Sequence, residues 1–491
     1  MKKIVRNIYS FVKENPFSFS IFVLSTIFFL FQHYSLLGWD FSAYVLNAKY
    51  LFGLGDYFEV YRAPMISFII GVFLFLGKFS EYIYIFLISL LFLYSNFKLS
   101  TSLFEKYFYK YNIKKNLFCF LFYLFSLSPF VLSFGLIEGT ELLALSFFEL
   151  FLANLLLNKL SGHLLGLAVL SRYNFLLYSV LMLFNKDYKK ILKNFGLMFL
   201  VFLPWMIFNK IRFGSWFSSF VDSYFLNVAS RAHLFQPFDF SALLAVIGFS
   251  LPLLLIGIIV LFFKIINWKK ERNLVFILFL AISVLMFYEV YSVPFKILRY
   301  LFILSLPAAF FSVLGFSIIN KFRKISKIVI LFFVLYFLFS VSFSSYAFYK
   351  ERSNGKMFYD AAIEIKNLGI ENCRILSNYW VPVNYYSNNI FFMSSNISAA
   401  IDNKEIVLIF YNLTTMDDKF NMNEVDNFPY LSKKDKFVFI ASDNITGSTC
   451  LKKEREDIPL VDNPCEIISN KFSKLGAKKA IYVFCSFIDG K

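Results

Sequence analysis

Along the first 350 residues, apolar runs of about 18 or more residues alternate with short polar and basic segments. Such runs cross a bilayer as helices, because lipid offers the backbone no hydrogen-bond partners. The pattern predicts spans at about residues 17–37, 81–98, 117–134, 141–157, 191–208, 241–263, 274–291, 301–319 and 328–347. Two stretches are less regular. Pro64 to Gly77 holds 14 residues, short for a full span, and reads as a juxtamembrane or re-entrant helix. Residues 162–185 are apolar on either side of Ser171-Arg172-Tyr173-Asn174. This stretch forms either a V-shaped pair of short helices with Arg172 at the apex or one long helix. The long helix would bury Arg172 near the bilayer centre at roughly 2.5 kcal/mol or more. The count is about eleven membrane segments.

Past residue 350 the pattern changes to short apolar runs among polar ones. The segment 356–369 reads as a helix. CRILSN, NIFFMSS, KEIVLIFYN, KFVFIAS and AIYVFCSF read as strands, and residues 465–479 as a late helix with Gly476 near its end. Helix and strand alternate, which predicts a partly parallel sheet. The fold class is therefore a polytopic α-helical membrane protein (residues 1–350) with a C-terminal extracytoplasmic α/β domain (residues 351–491).

Charge fixes the expected orientation. The chain has a net charge of +17, yet residues 351–491 hold 17 Lys and Arg against 18 Asp and Glu. The basic excess belongs to the membrane part and reads as topology. Lys2, Lys3, Arg6 and Lys13 precede the first span, and basic clusters at 98–115, 264–272 and 321–327 fall on the same side. The N-terminus is then cytoplasmic and the C-terminal domain outside, in a multi-pass cell-membrane protein. A cleaved signal peptide is not expected, since no small-residue cleavage site follows the first span. Basic residues are not gathered with exposed aromatics on a soluble face, so a nucleic-acid partner is not expected. No Gly-rich phosphate loop or Walker motif is present, which speaks against a nucleotide-sugar enzyme or an ATP-driven pump. Sequons at Asn396, Asn412 and Asn444 all lie in the C-terminal part. Cys373, Cys450, Cys465 and Cys485 lie there too, as two disulfides or four reduced thiols. Three pairings are open, of which Cys450–Cys465 is the most local.

The remaining unusual charges gather on the predicted outer side. Gly38 to Pro64 holds Asp40, Glu59 and Arg62 between two apolar segments, and Asp40, Tyr44 and Ala48 share a helical face. Glu138, Glu141 and Glu289 stand at outer span ends, with Arg172, Lys296 and Arg299. Acids beside bases at a membrane cavity suit a lipid-linked phosphate. Arg and Lys would neutralise it, and a carboxylate would take a proton from an acceptor hydroxyl. Asp40, Glu59 and Glu141 are the candidate catalytic acids. Arg62, Arg172, Lys296 and Arg299 are the candidate phosphate ligands, and Tyr44, Glu138 and Glu289 are further cavity candidates. A transporter or flippase would use the same charges along a path but predicts internal repeats, and none is visible. A non-catalytic scaffold of the same fold is the third reading.

Several stretches, taken in order, resemble the GT-C membrane glycosyltransferases, in the branch of the protein O-mannosyltransferases and lipid A aminoarabinose transferases. They are Asp40-x-x-x-Tyr44-x-x-x-Ala48 with Gly53, Arg62-Ala63-Pro64 through Gly77, and Glu141. Leu170 through Tyr173, Leu203-Pro204-Trp205 through Gly214, and Arg299-Tyr300 through Pro307 complete the set. Together they cover about residues 17–320. The chain departs at Ala63, where the family has a first proline, and at Glu141, often Asp. The resemblance implies a polyprenyl- or dolichyl-phosphate sugar donor and an outer-facing site. It also implies inversion at the anomeric carbon and transfer to a protein, lipid or glycan acceptor. Asp40 would be the catalytic acid residue, with Arg172 and Arg299 on the donor phosphate and Lys296 a weaker candidate. A divalent cation, Mg or Mn, stays open as a cofactor, with no metal ligand assigned. His33, His163 and His233 are scattered and read as structural.

Overall fold

The computed structural model describes residues 9–109, 113–185, 187–266, 273–294, 296–387, 390–392, 397–411, 428–442, 445–453, 459–461, 463–471 and 478–489. The sequon asparagines Asn396, Asn412 and Asn444, residues 1–8, the basic segment 267–272 and Gly476 lie outside them. Among the described residues, seven helices are long and apolar enough to cross a membrane: Pro16–Ser35, Phe79–Phe108, Tyr188–Phe213, Ser241–Phe263, Leu274–Ser292, Leu298–Ile319 and Arg323–Asn367. Seven rather than about eleven segments meet that test, and Lys115–Ser126, Gly162–Ser171 and Tyr173–Phe184 are shorter apolar helices. Burial separates centre from rim. Helix Leu298–Ile319 is mostly buried, whereas Arg323–Asn367 is mostly exposed and shows Ile328, Leu331, Leu335 and Phe339 to the surroundings. An apolar exterior of this kind is a lipid-facing surface. At the centre, helices Leu251–Ile266 and Ser305–Ile319 touch backbone to backbone. A Cβ on Gly257 would lie 2.0 Å from the Phe311 carbonyl oxygen, and one on Gly315 1.9 Å from that of Leu253. Only glycine permits this approach.

Local chemistry breaks two expected spans. Residues 117–134 form two helices, Lys115–Ser126 and Pro129–Phe134, because Ser128 accepts from the Val131 amide and Pro129 has no amide to continue the first. The interrupted stretch takes the two-helix form. Helix Gly162–Ser171 stops at an extended Arg172 (φ −158°, ψ 113°), and a 3-10 helix runs from Tyr173 to Phe184. The predicted loop 209–240 is partly helical. Helix Tyr188–Phe213 runs into it, and Ser218–Tyr224 forms another turn. The 14-residue segment is short, as expected, with Met65–Val72 helical and a 3-10 turn at Leu74–Leu76.

The composition change at residue 350 falls inside one unbroken helix, Arg323–Asn367, about 68 Å long at 1.5 Å per residue. Its last turns bury Met357, Ala361 and Ile365 against a five-stranded sheet. The strands are β1 (Ile375–Ser377), β2 (Ile390–Phe392), β3 (Ile406–Phe410), β4 (Tyr430–Lys433) and β5 (Phe437–Ile440), in the order β2-β1-β3-β5-β4. β1 pairs in parallel with β2 and β3, and β5 antiparallel with β3 and β4, so the sheet is partly parallel. β3 and β5 are buried along their whole length. Ile406, Leu408 and Phe410 face one core and Val407 and Ile409 the other, which explains their unalternating apolar sequence. AIYVFCSF forms no strand; it lies in helix Lys478–Asp489. Helical spacing puts Cys485 and Asp489 on one buried face, and that packing overrides the strand preference of the aromatic and β-branched residues. β4 and helix Trp380–Ser387 are additional elements that the sequence pattern did not suggest.

The disulfides are Cys373–Cys450 and Cys465–Cys485, not the local Cys450–Cys465. Cys119 is free and buried in the bundle. The first bridge closes 77 residues and ties the start of β1 to the far end of the sheet unit. Cys450→Ser is expected to destabilise that unit by about 4 kcal/mol, the order for a loop of this length. Peptide mapping without reductant, with thermal melting of wild type and variant, checks both the pairing and the cost.

Candidate active site

The first loop folds as helix Trp39–Leu51, with Asp40 in its first turn. This helix packs close to the chain before helix Glu141–Leu156. A Cβ on Gly38 would sit 2.0 Å from the Ile137 carbonyl oxygen, so the glycine lets the two segments meet. The Asp40 amide there donates to Glu138 Oε2 at 2.8 Å.

Asp40 is held by two guanidinium groups. Arg62 Nη1 reaches Oδ1 at 2.6 Å and Arg299 Nη1 reaches Oδ2 at 2.5 Å. Residues 40, 62 and 299 thus converge from three separate segments. Arg62 is shared, since its Nε donates to Glu59 Oε2 at 2.6 Å. The guanidinium also lies over the rings of Tyr61 and Tyr44, 5.0 and 5.5 Å from their centroids. Glu59 is buried and fixed by its neighbours. Its amide donates to Asn47 Oδ1 at 2.8 Å, Asn47 Nδ2 donates to its carbonyl at 3.0 Å, and Tyr57 donates to Oε1 at 2.7 Å. Asn47 is two turns from Asp40 on the same helix. A further step of four from Tyr44 reaches Ala48 instead, so that spacing passes it by.

A second pair stands beside the first. Arg172, at the break between its two short helices, reaches Glu141 Oε1 at 2.5 Å, and Thr140 donates to Glu141 Oε2 at 2.8 Å. Tyr300, next to Arg299, lies under the Arg172 guanidinium with its centroid 5.7 Å away. Glu289 is buried one step off, bonded by Asn174 and by Tyr178 at 3.2 Å. Lys296 is not brought in. It bonds to the Val293 carbonyl and lies 4.8 Å from the Phe235 ring centroid. A further network, which spacing alone does not reveal, supports Arg62 from behind. Tyr173 donates to the Arg62 carbonyl at 3.3 Å, and Trp205 and Asn209 donate to Ser219 Oγ at 2.9 and 3.0 Å.

The electrostatics sort the acids. Burial alone would raise the Asp40 carboxyl, but Arg299 and Arg62 outweigh it and hold the group well below the usual carboxylate range. Glu138 is pushed up to about 7, first by burial and then by the charge of Asp40. One acid of the neighbouring pair is thus firmly ionised and the other is poised near neutrality. Arg299 Nε is buried with no hydrogen-bond partner among the described residues. A buried donor is costly to leave unmade, so this atom marks a place for an acceptor oxygen. Among the described residues, the grouping of metal-ligand type is Cys465, Cys485 and Asp489, whose two sulfurs are joined in a disulfide.

No family model matches the chain, and no curated protein matches it by sequence. Its fold does match solved structures. ArnT from Cupriavidus metallidurans bound to undecaprenyl phosphate aligns with a TM-score of 0.57 at 11% identity, over 89% of this chain and 99% of that one. The same organism's ArnT in the apo state aligns with a TM-score of 0.51 at 10% identity, over 89% and 98%. The chain has the fold of ArnT.

Proposed function

We propose that the chain is a membrane glycosyltransferase that draws its sugar from a polyprenyl- or dolichyl-phosphate donor. The observation that carries this reading is the grip of Arg62 and Arg299 on Asp40, with the unpartnered Arg299 Nε beside it. The donor phosphate would compete with Asp40 for these guanidinium groups, using two hydrogen bonds to each. Arg172 adds a third cation, and Lys296 would have to leave the Val293 carbonyl to add a fourth. ArnT, of the same fold, has been solved with undecaprenyl phosphate bound, which supports a polyprenyl-phosphate partner here.

In this reading Asp40 is a weak base while both guanidinium groups hold it. Drawing them toward phosphate raises its basicity as the donor binds. The acceptor hydroxyl attacks the anomeric carbon opposite the phosphate and gives its proton to Asp40. The carbon–oxygen bond to phosphate breaks, and the polyprenyl phosphate leaves with the electron pair. The configuration inverts. Glu59 and Glu141 hold Arg62 and Arg172 in place. The acceptor is a protein, lipid or glycan. The site faces the extracytoplasmic side with the disulfide-bonded C-terminal unit, as disulfides form in oxidising compartments. A Mg or Mn ion does not fit the donor set around Asp40. Both its oxygens accept from guanidinium groups, and Glu138 already accepts from an amide.

Three outcomes test this. Purified protein in lipid discs, given a panel of polyprenyl-phosphate sugars and native membrane extract, is expected to transfer labelled sugar. Asp40→Asn should lower the rate by about 100-fold or more, the range for a lost general base; equal rates would remove Asp40 from the chemistry. No transfer by wild type would favour the scaffold or transport readings. A chelator should leave the rate unchanged, and its inhibition would restore a metal. Glu138 gives a pH signature. Between its ordinary 4.5 and about 7 the folded chain holds a proton that the unfolded chain has released, so folding loses stability as pH rises through that window. Melting followed from pH 5 to 8 should show Glu138→Gln gaining on wild type as pH rises.

A further inference from the structure

The C-terminal unit reaches the Asp40 site through a chain of hydrogen bonds. Trp380 Nε1 donates to the Tyr57 hydroxyl at 2.9 Å, and Tyr57 donates to Glu59 Oε1 at 2.7 Å. The other Glu59 oxygen takes Arg62 Nε at 2.6 Å, and Arg62 Nη1 takes Asp40 Oδ1 at 2.6 Å. Every link is a directed donor–acceptor pair, and each member is buried or mostly buried. The surrounding packing is tight. The Trp380 ring meets Trp39, the neighbour of Asp40, edge to face at 4.7 Å, and Ala43, Leu46 and Val381 form one small apolar cluster. Tyr385 of the same C-terminal helix accepts Lys49 Nζ at its carbonyl, at 3.3 Å.

We infer that Trp380 is a positioning residue for the Asp40 site, acting through Tyr57 and Glu59 on the Arg62 guanidinium. The inference rests on the glycosyltransferase reading and gives the C-terminal unit a part in it. Glu59 is the pivot. With Tyr57 and Asn47 fixing it, its free oxygen sets where Arg62 lies, and Arg62 in turn sets the orientation and charge of Asp40. Remove the indole N–H, and the Tyr57 hydroxyl loses one of the two bonds that aim it. Glu59 then has a second rotamer open to it, and Arg62 follows.

The test is a double-mutant cycle on sugar transfer by the full-length protein in lipid discs. Trp380→Phe keeps an aromatic ring against Trp39 and removes the N–H together with part of the indole's bulk, for which Trp39→Phe is the packing control. Tyr57→Phe breaks the same chain one link further on. Each should lower kcat by roughly five- to tenfold, about the value of one lost hydrogen bond to a charged network, with the donor KM within about twofold. The double variant should be no slower than Tyr57→Phe alone. Trp39→Phe, which loosens the same packing without touching the chain, should leave kcat near that of wild type. Additive losses, or losses in all three variants that follow the fall in melting temperature, would show mere structural support and overturn the inference. Should Trp380→Phe fail to fold, Tyr57→Phe against Glu59→Gln tests the next link, through which Trp380 has to act, and additivity there overturns the inference. Wild type without transfer would overturn the underlying reading first, and this inference with it.

Discussion

Everything at this site depends on one constraint: a buried charge must be paired. Asp40, Glu59 and Glu141 sit among apolar helices, and each finds a guanidinium within 2.6 Å. Removing one partner from such a pair leaves the other buried and unsatisfied, at several kcal/mol. The pairing therefore fixes how distant segments meet. Arg62 is drawn to Asp40 and Glu59 together, Arg299 comes in from a 3-10 turn some 260 residues away in the chain, and Arg172 waits at a helix break. Under the proposed function the acids would hold the place of the donor phosphate, with the cations arranged before it arrives.

The membrane class and much of the site could be read from the chain itself, and the reason is physical. Arg172 interrupting an apolar stretch leaves few options, and the break found there is one of the two forms its desolvation cost allowed. Asp40, Arg62, Glu141 and Arg299 stood out because ionised groups near lipid are expensive. Lys296 stood out for the same reason yet lies elsewhere, as a flexible ammonium at a surface finds a local carbonyl without any site. Asn47, Tyr57 and Ser219 were silent because uncharged polar side chains are common at span ends and carry no signal until their partners are known.

The C-terminal unit was harder for a related reason. The partly parallel sheet followed from the order of its apolar runs, since β3 and β5 are buried on both faces. AIYVFCSF has a strand composition and a helical fate, because its helix face is chosen by Cys465 and Ser215, residues far off in sequence. Disulfide pairing stayed open for the same reason: chain proximity says nothing of the sheet that brings Cys373 to Cys450.

The helix Arg323–Asn367 has a mechanical corollary. It carries the sheet unit on a stiff post, and two other attachments lie off its axis. One is Trp380 on helix Trp39–Leu51; the other is the segment ending at Asp489, whose carboxylate takes Ser215 and the Trp216 amide while Asp222 takes the amides of Leu460 and Val461. Attachments at three places leave the unit little freedom to swivel about its post. It is braced rather than hinged, and under the proposed function a long-chain lipid donor would enter from the side, between helices.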